Sequence, residues 1–379
     1  MRIVKDTLAL SLLALCAFSF AAGNGGGKGQ SESERARKIL LKTLERDRPQ
    51  NVVAIILQRS PDCSDVMQRI QVQISKDGKM RQTVIYPLSM EGVETIDDGR
   101  QSATYLPDDK LTLIQESPRL MPNDTLTRMN LTTRNYGLSL AGTSVVAGKT
   151  ATIVVATPHN RDMETRRYYI DADTGFLLQL ETIGKSKEPK LAFKAQVVSY
   201  PSSIPSQTFS IDQAKSGKTL VFRRRSGIYD GNKDAQNLGF EPVFPDALPY
   251  GFSVQDAQIN DNVQWRSVAV RITDGLIKGT VYQWPASSKN VKVREMPGTT
   301  MGESGGMKLV VAADVPESVR RRILEAFSDA ARRGGNDGSQ AFAGFIQSLE
   351  LSLRQISLTH IELPAGILLI TVSNSINEI

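Results

Sequence analysis

The sequence predicts an α+β protein: a large curved antiparallel half-barrel with packed helices, followed by a smaller α+β domain. Three observations predict it. From Val52 to about Ser210, short runs of β-formers alternate apolar with polar residues between turn signals, the period-2 pattern of a sheet wet on one face. Composition then shifts, because residues 211–239 are rich in Gly, Lys, Arg, Asp and Asn and poor in apolar side chains. Beyond that stretch, strands and an amphipathic helix resume on a smaller scale. A long unbroken antiparallel sheet curls rather than staying flat, and the hollow it forms is available to helices.

The chain opens with a basic start at Arg2 and Lys5 and an apolar stretch from Leu8 to Phe20. That stretch is shorter than the roughly 20 residues a membrane helix needs, and the small residues Ser19 and Ala21 suit cleavage, so an export signal is expected. The expected division is a signal peptide over 1–21, a Gly-rich tether over 22–31, the large domain over 32–210, a linker over 211–239, the small domain over 240–333, and a C-terminal segment over 334–379 with no assigned role. A cleaved signal makes the mature protein periplasmic or secreted and not transmembrane.

In the large domain a helix should start at Ser31 or Ser33, with Glu32 and Glu34 favouring its dipole and Ile39, Leu40 and Leu44 on its apolar face, and stop at Pro49. Strands are expected at Val52–Leu57, Val66–Ser75, Met80–Tyr86, Gln101–Leu106, Lys110–Gln115, Tyr136–Leu140, Thr150–Ala156, Arg166–Ile170, Phe176–Thr182 and Leu191–Val198. Asp77-Gly78 has the chemistry of a type I′ hairpin turn. In Asp171-Ala172-Asp173-Thr174-Gly175 the Asp side chains fold back on the backbone and Gly175 takes positive φ. The small domain should hold strands at Gln264–Thr273, Leu276–Trp284, Val291–Glu295 and Met307–Ala313, then a helix from Pro316 to about Arg332 burying Val319, Ile323, Ala326 and Phe327. An apolar run from Ile361 to Val372, broken by Pro364 and Gly366, is too short to cross a bilayer and reads as a further strand.

Chemistry is sparse. The chain has two histidines, His159 and His360, and neither has a second ligand at metal spacing. No nucleophile elbow, His-Glu-x-x-His or phosphate loop is present, so neither an enzyme nor a cofactor or metal site is expected. Once the signal takes Cys16 away, Cys63 is the single thiol and no internal disulfide can form. The net charge of +6 concentrates in Arg223-Arg224-Arg225, Arg320-Arg321-Arg322 and Arg332-Arg333. An exported chain meets little nucleic acid and these runs carry no interleaved aromatics, which leaves a solvated face or an anionic partner. Arg223, Arg224 and Arg225 are the candidate partner contacts.

Four segments carry a family likeness: Ala147-Gly148-Lys149 with Tyr168 to Leu178; Leu248-Pro249-Tyr250-Gly251-Phe252; Thr273-Asp274-Gly275-Leu276 with Thr280-Val281-Tyr282; and Leu309 to Pro316. In this order, across about residues 33 to 333, they resemble the MucB/RseB family of periplasmic regulators, whose larger domain resembles the lipoprotein carriers LolA and LolB. Val52–Leu57 departs from the family by lacking its aromatic-x-Gly, and nothing beyond Gly334 has a counterpart. The resemblance implies a LolA-like half-barrel that binds the periplasmic part of a membrane anti-sigma factor and senses lipid in its groove. The inward residues expected to line that groove are Ile70, Val72, Ile74, Phe176, Leu178, Leu180, Leu191 and Phe193, which would equally form an ordinary core if helices plug the hollow. A lipid or lipoprotein carrier and an envelope scaffold are the alternatives.

Overall fold

A computed structural model describes residues 31–44, 50–59, 66–117, 125–211, 217–221, 229, 238–262, 265–288 and 298–333. The expected signal, the tether up to residue 30, Cys63, Arg223-Arg224-Arg225, the strand at Val291–Glu295, His360 and the tail from residue 334 lie outside the described residues.

Helix α1 (Glu32–Leu44) begins directly after Ser31, with Glu32 and Glu34 in its first turn. Strands β1 (Val52–Arg59), β2 (Met67–Ile74), β3 (Met80–Tyr86), β4 (Glu94–Asp97), β5 (Gln101–Leu106) and β6 (Leu111–Glu116) follow. Helix α2 (Thr125–Asn135) runs without a break into β7 (Tyr136–Val146), and β8 (Lys149–Pro158), β9 (Thr165–Asp171), β10 (Leu177–Ile183) and β11 (Pro189–Ser199) complete the antiparallel run. A short strand β12 (Lys218–Val221) lies within the stretch expected to be a linker and pairs parallel to β6. Together they form one 12-stranded sheet in the order β12-β6-β5-β4-β3-β2-β1-β11-β10-β9-β8-β7. The two end strands do not pair with each other, so the curved sheet is an open half-barrel.

Register explains the inner face. Val52, Ala54 and Ile56 of β1 stand opposite Ile74, Val72 and Ile70 of β2, all of them buried. Ala36 and Leu40 of α1 and Met129 of α2, each fully buried, join the same core, with α1 lying over β7, β8 and β9. Helices therefore occupy this part of the hollow. The Glu32 carboxylate also accepts the Leu140 amide at 3.1 Å, fixing the helix start to edge strand β7.

Turn chemistry differs from expectation at one hairpin. Between β2 and β3 Gly78 has positive φ (81°) but Asp77 does not, and Ser75 and Lys79 close a three-residue loop. That is a turn with glycine in the left-handed position, not type I′. A hairpin turn with two successive positive φ values occurs at Ala147-Gly148 (51° and 72°), between β7 and β8. The Asp171 turn behaves as expected: its Oδ1 accepts the amides of Asp173 (2.9 Å) and Thr174 (3.1 Å), and Tyr200 donates its hydroxyl to Oδ2 at 2.6 Å.

The second sheet contains β13 (Ser253–Asn262), β14 (Trp265–Thr273), β15 (Lys278–Pro285), β16 (Thr299–Ser304) and β17 (Met307–Ala313), in the order β13-β14-β15-β17-β16. Helix α3 (Glu317–Arg332) covers β16 and β17. Val319, Ile323 and Phe327 are fully buried, while Ala326 is half-buried and Leu324, Ala330 and Ala331 complete the apolar stripe. No helix among the described residues is long and apolar enough to cross a membrane.

If α1 is a seated core helix, Leu40→Ala should lower unfolding stability by about 2–5 kcal/mol in urea titration. An unchanged midpoint would show that α1 does not occupy the hollow.

Candidate functional site

The eight residues expected to line a groove are mostly brought together, as core. Ile70, Val72, Ile74, Phe176, Leu178 and Phe193 are all buried in the cluster that includes Ala36 and Leu40. Leu180 packs partly buried against it, facing Phe193 and Tyr168 across the sheet. Leu191 lies apart, because a bulge between Leu180 and Glu181 pairs it with Glu181.

A more organised group of polar residues sits where the two sheets meet. Asp274, in the turn after β14, is 0% exposed. Its Oδ2 accepts the Tyr136 hydroxyl at 2.6 Å, and its Oδ1 accepts the amides of Leu276 (3.0 Å) and Ile277 (2.8 Å). Asn135 donates from Nδ2 to the carbonyls of Asp274 (2.8 Å) and Gly251 (3.0 Å). Arg128 of α2 donates to the Gly275 carbonyl at 3.3 Å. Arg166 of β9, its side chain 6% exposed, reaches the Asp314 carbonyl (2.9 Å) and carboxylate (3.1 Å) after β17.

Backbone conformation makes this approach close. Gly275 has φ +107°, and a Cβ there would fall on the Thr132 amide and within 2.6 Å of the Arg128 carbonyl oxygen. Gly251 has φ +75°, and a Cβ there would collide with the Asn135 side chain. Both glycines belong to segments picked out in the sequence, Leu248 to Phe252 and Thr273 to Leu276. Their use as docking turns needed α2, which sequence reasoning missed. Thr125 to Asn135 is threonine-rich and so a poor helix former on propensity. Thr132 and Thr133 instead return their hydroxyls to the carbonyls four residues back, at 2.9 and 3.2 Å. The polar loop Arg161 to Glu164 hides a second contribution: Met163, between β8 and β9, is buried in the core of the second sheet. Leu276 touches both cores.

Burial raises the pKa of Asp274 above the usual 3.8, against the Tyr136 hydroxyl, the two amides and Arg166, which favour the charged form. The Tyr136 hydroxyl is held protonated well above its ordinary range, first by burial and then by the Asp274 charge. Beside the junction lies a cavity of about 360 Å³, lined by Arg134, Asn135, His159, Asn160 and Tyr250 among others. No cluster of three or more His, Cys, Asp or Glu side chains at metal-binding spacing occurs among the described residues.

Residues 45–208 match the family model described as the MucB/RseB N-terminal domain. No curated protein matches the chain. Three solved structures share its fold: a crystal structure of MucB (TM-score 0.54, 16% identity, covering 78% of this chain and 97% of that one); the Pseudomonas aeruginosa MucA/MucB complex (0.53, 16%, 78% and 98%); and MucB in complex with MucA(peri) (0.50, 17%, 77% and 97%).

Two outcomes check the junction. Gly275→Ala should destabilise it by at least about 1–3 kcal/mol and split thermal unfolding into two transitions, and one unchanged transition would contradict the close approach. A raised carboxyl pKa in the folded state means stability present at low pH and lost as pH rises above 3.8 through the raised value. The parent should therefore lose stability relative to Asp274→Asn across that window in urea titrations, and a pH-independent difference would contradict the burial effect.

Proposed function

We propose, from the match of residues 45–208 to the MucB/RseB N-terminal domain, that the chain is a periplasmic regulator of the MucB/RseB kind, binding the periplasmic part of a membrane anti-sigma factor. The observation that carries this is the pairing of that domain match with fold similarity over 78% of the chain to MucB bound to MucA. Regulation of this kind is differential binding: the partner and any releasing ligand must favour different states of the protein. Two sheets joined through a buried polar junction offer such a two-part surface.

Lipid sensing is the finer part of the proposal. An acyl chain would reach Ile70, Val72, Ile74, Phe176, Leu178 and Phe193 by displacing α1, whose Ala36 and Leu40 share their core. Release would then be coupled to α1 rather than to a standing groove. Arg223, Arg224 and Arg225 are proposed to meet acidic residues of the partner.

Calorimetric titration with the periplasmic segment of an anti-sigma factor from the same genome should give saturable binding with Kd below about 10 μM. Charge reversal at Arg223, Arg224 and Arg225 should weaken it more at low than at high salt. Absence of binding would overturn the regulator, whereas affinity indifferent to both charge and salt would remove the arginine contact alone.

A further inference from the structure

The cavity beside the junction has chemistry that the partner-binding proposal does not use. Its volume of about 360 Å³ falls at the lower end of the roughly 300–1,000 Å³ usual for small-molecule sites. Its polar lining is rich in donors. Arg134, exposed at the C-terminal end of α2, donates one N–H to the Gly251 carbonyl at 3.3 Å, and a guanidinium carries five such donors. His159 and Asn160, both exposed, add an imidazole and an amide from the loop after β8. The acid in the wall, Asp274, is fully buried and turns its carboxylate to Tyr136 and to two backbone amides, away from any occupant's need for a counter-charge. Arg134 therefore sets the sign of charge at the mouth. Pro158, Met163 and Tyr250 provide the apolar remainder.

We propose that this cavity binds a small anionic ligand, a carboxylate or phosphate group on a compact apolar body, with Arg134 taking the anion and Tyr250 and Pro158 flanking the body. Fork-shaped pairing of a guanidinium with two anionic oxygens gives both the charge and the orientation. Arg134, Pro158 and His159 belong to the large-sheet side, whereas Tyr250 and Gly251 precede β13 of the second sheet. An occupant touching both sides stabilises their docked arrangement by mass action. The site thus couples ligand occupancy to the junction, independently of which protein partner the chain binds.

Calorimetric titration of the mature full chain with phenylacetate, phenyl phosphate and the neutral phenylacetamide tests this. At least one acid should bind saturably and one-to-one, at least about tenfold tighter than the amide, and the tighter acid names the group as carboxylate or phosphate. Arg134→Gln should reduce acid binding to the level of the amide with an unchanged urea midpoint, while Arg161→Gln, an exposed arginine outside the lining, should keep it. Failure of both acids to bind, equal affinity for acid and amide, or full affinity in Arg134→Gln would overturn the proposal.

Discussion

A buried carboxyl at the meeting point of two sheets is the constraint on which the rest of the structure depends. Asp274 is withdrawn from water and is tolerable there because a tyrosine hydroxyl and two backbone amides supply what water would. Those partners come from both sides: Tyr136 opens β7 of the large sheet, whereas Leu276 and Ile277 follow Asp274 in its own turn. Replacing the tyrosine while the junction stays closed would leave a desolvated carboxyl oxygen without its donor. The bonds that cross the junction, Tyr136 to Asp274, Asn135 and Arg128 to the Asp274 and Gly275 carbonyls and Arg166 to Asp314, fix the register of the two sheets.

Two left-handed glycines let the polar groups come close enough. At Gly275 the neighbour is helix backbone, which cannot step aside, whereas at Gly251 it is the Asn135 side chain. Apolar packing supports the same geometry, since Met163 reaches from the large sheet into the second core and Leu276 contacts both. Helix α2 links the two modules. Its inner side places Met129 in the large core, and its Arg128, Thr132 and Asn135 meet the turns of the second module.

Most of the architecture was legible because period-2 alternation is strong wherever one face is buried. Val52, Ala54 and Ile56 against Ile70, Val72 and Ile74 could be read directly, as could the apolar stripe of α3. Elements escaped where that signal fails. β4 spans Glu94–Asp97 alone and is too short to show a period. β13 alternates weakly through Gln255, Asp256 and Gln258, and α2 is written in threonine. Of the site, the glycine turns were visible as motifs but their purpose was not. A helix that propensity argues against had to be in place before Asp274, Gly275 and Gly251 had anything to dock on. Arg166 carried a quieter signal, because alternation puts it on the same face of β9 as Tyr168 and Ile170, and an inward arginine needs a partner, which Asp314 provides.

The hollow and the junction divide the functional possibilities between them. Helices already occupy the hollow beneath β7–β9, so any lipid must compete with part of the protein's own core, while the junction is polar and bordered by a cavity. Hydrogen exchange at the amides of Leu276 and Ile277, which donate to Asp274, is the most direct measure of whether the two sheets behave as one unit. Opening free energies equal to those of Val154 and Val281, amides from the two cores, are expected. Exchange at Leu276 and Ile277 far faster than at both core positions would show that the sheets part on their own and that the junction does not hold them.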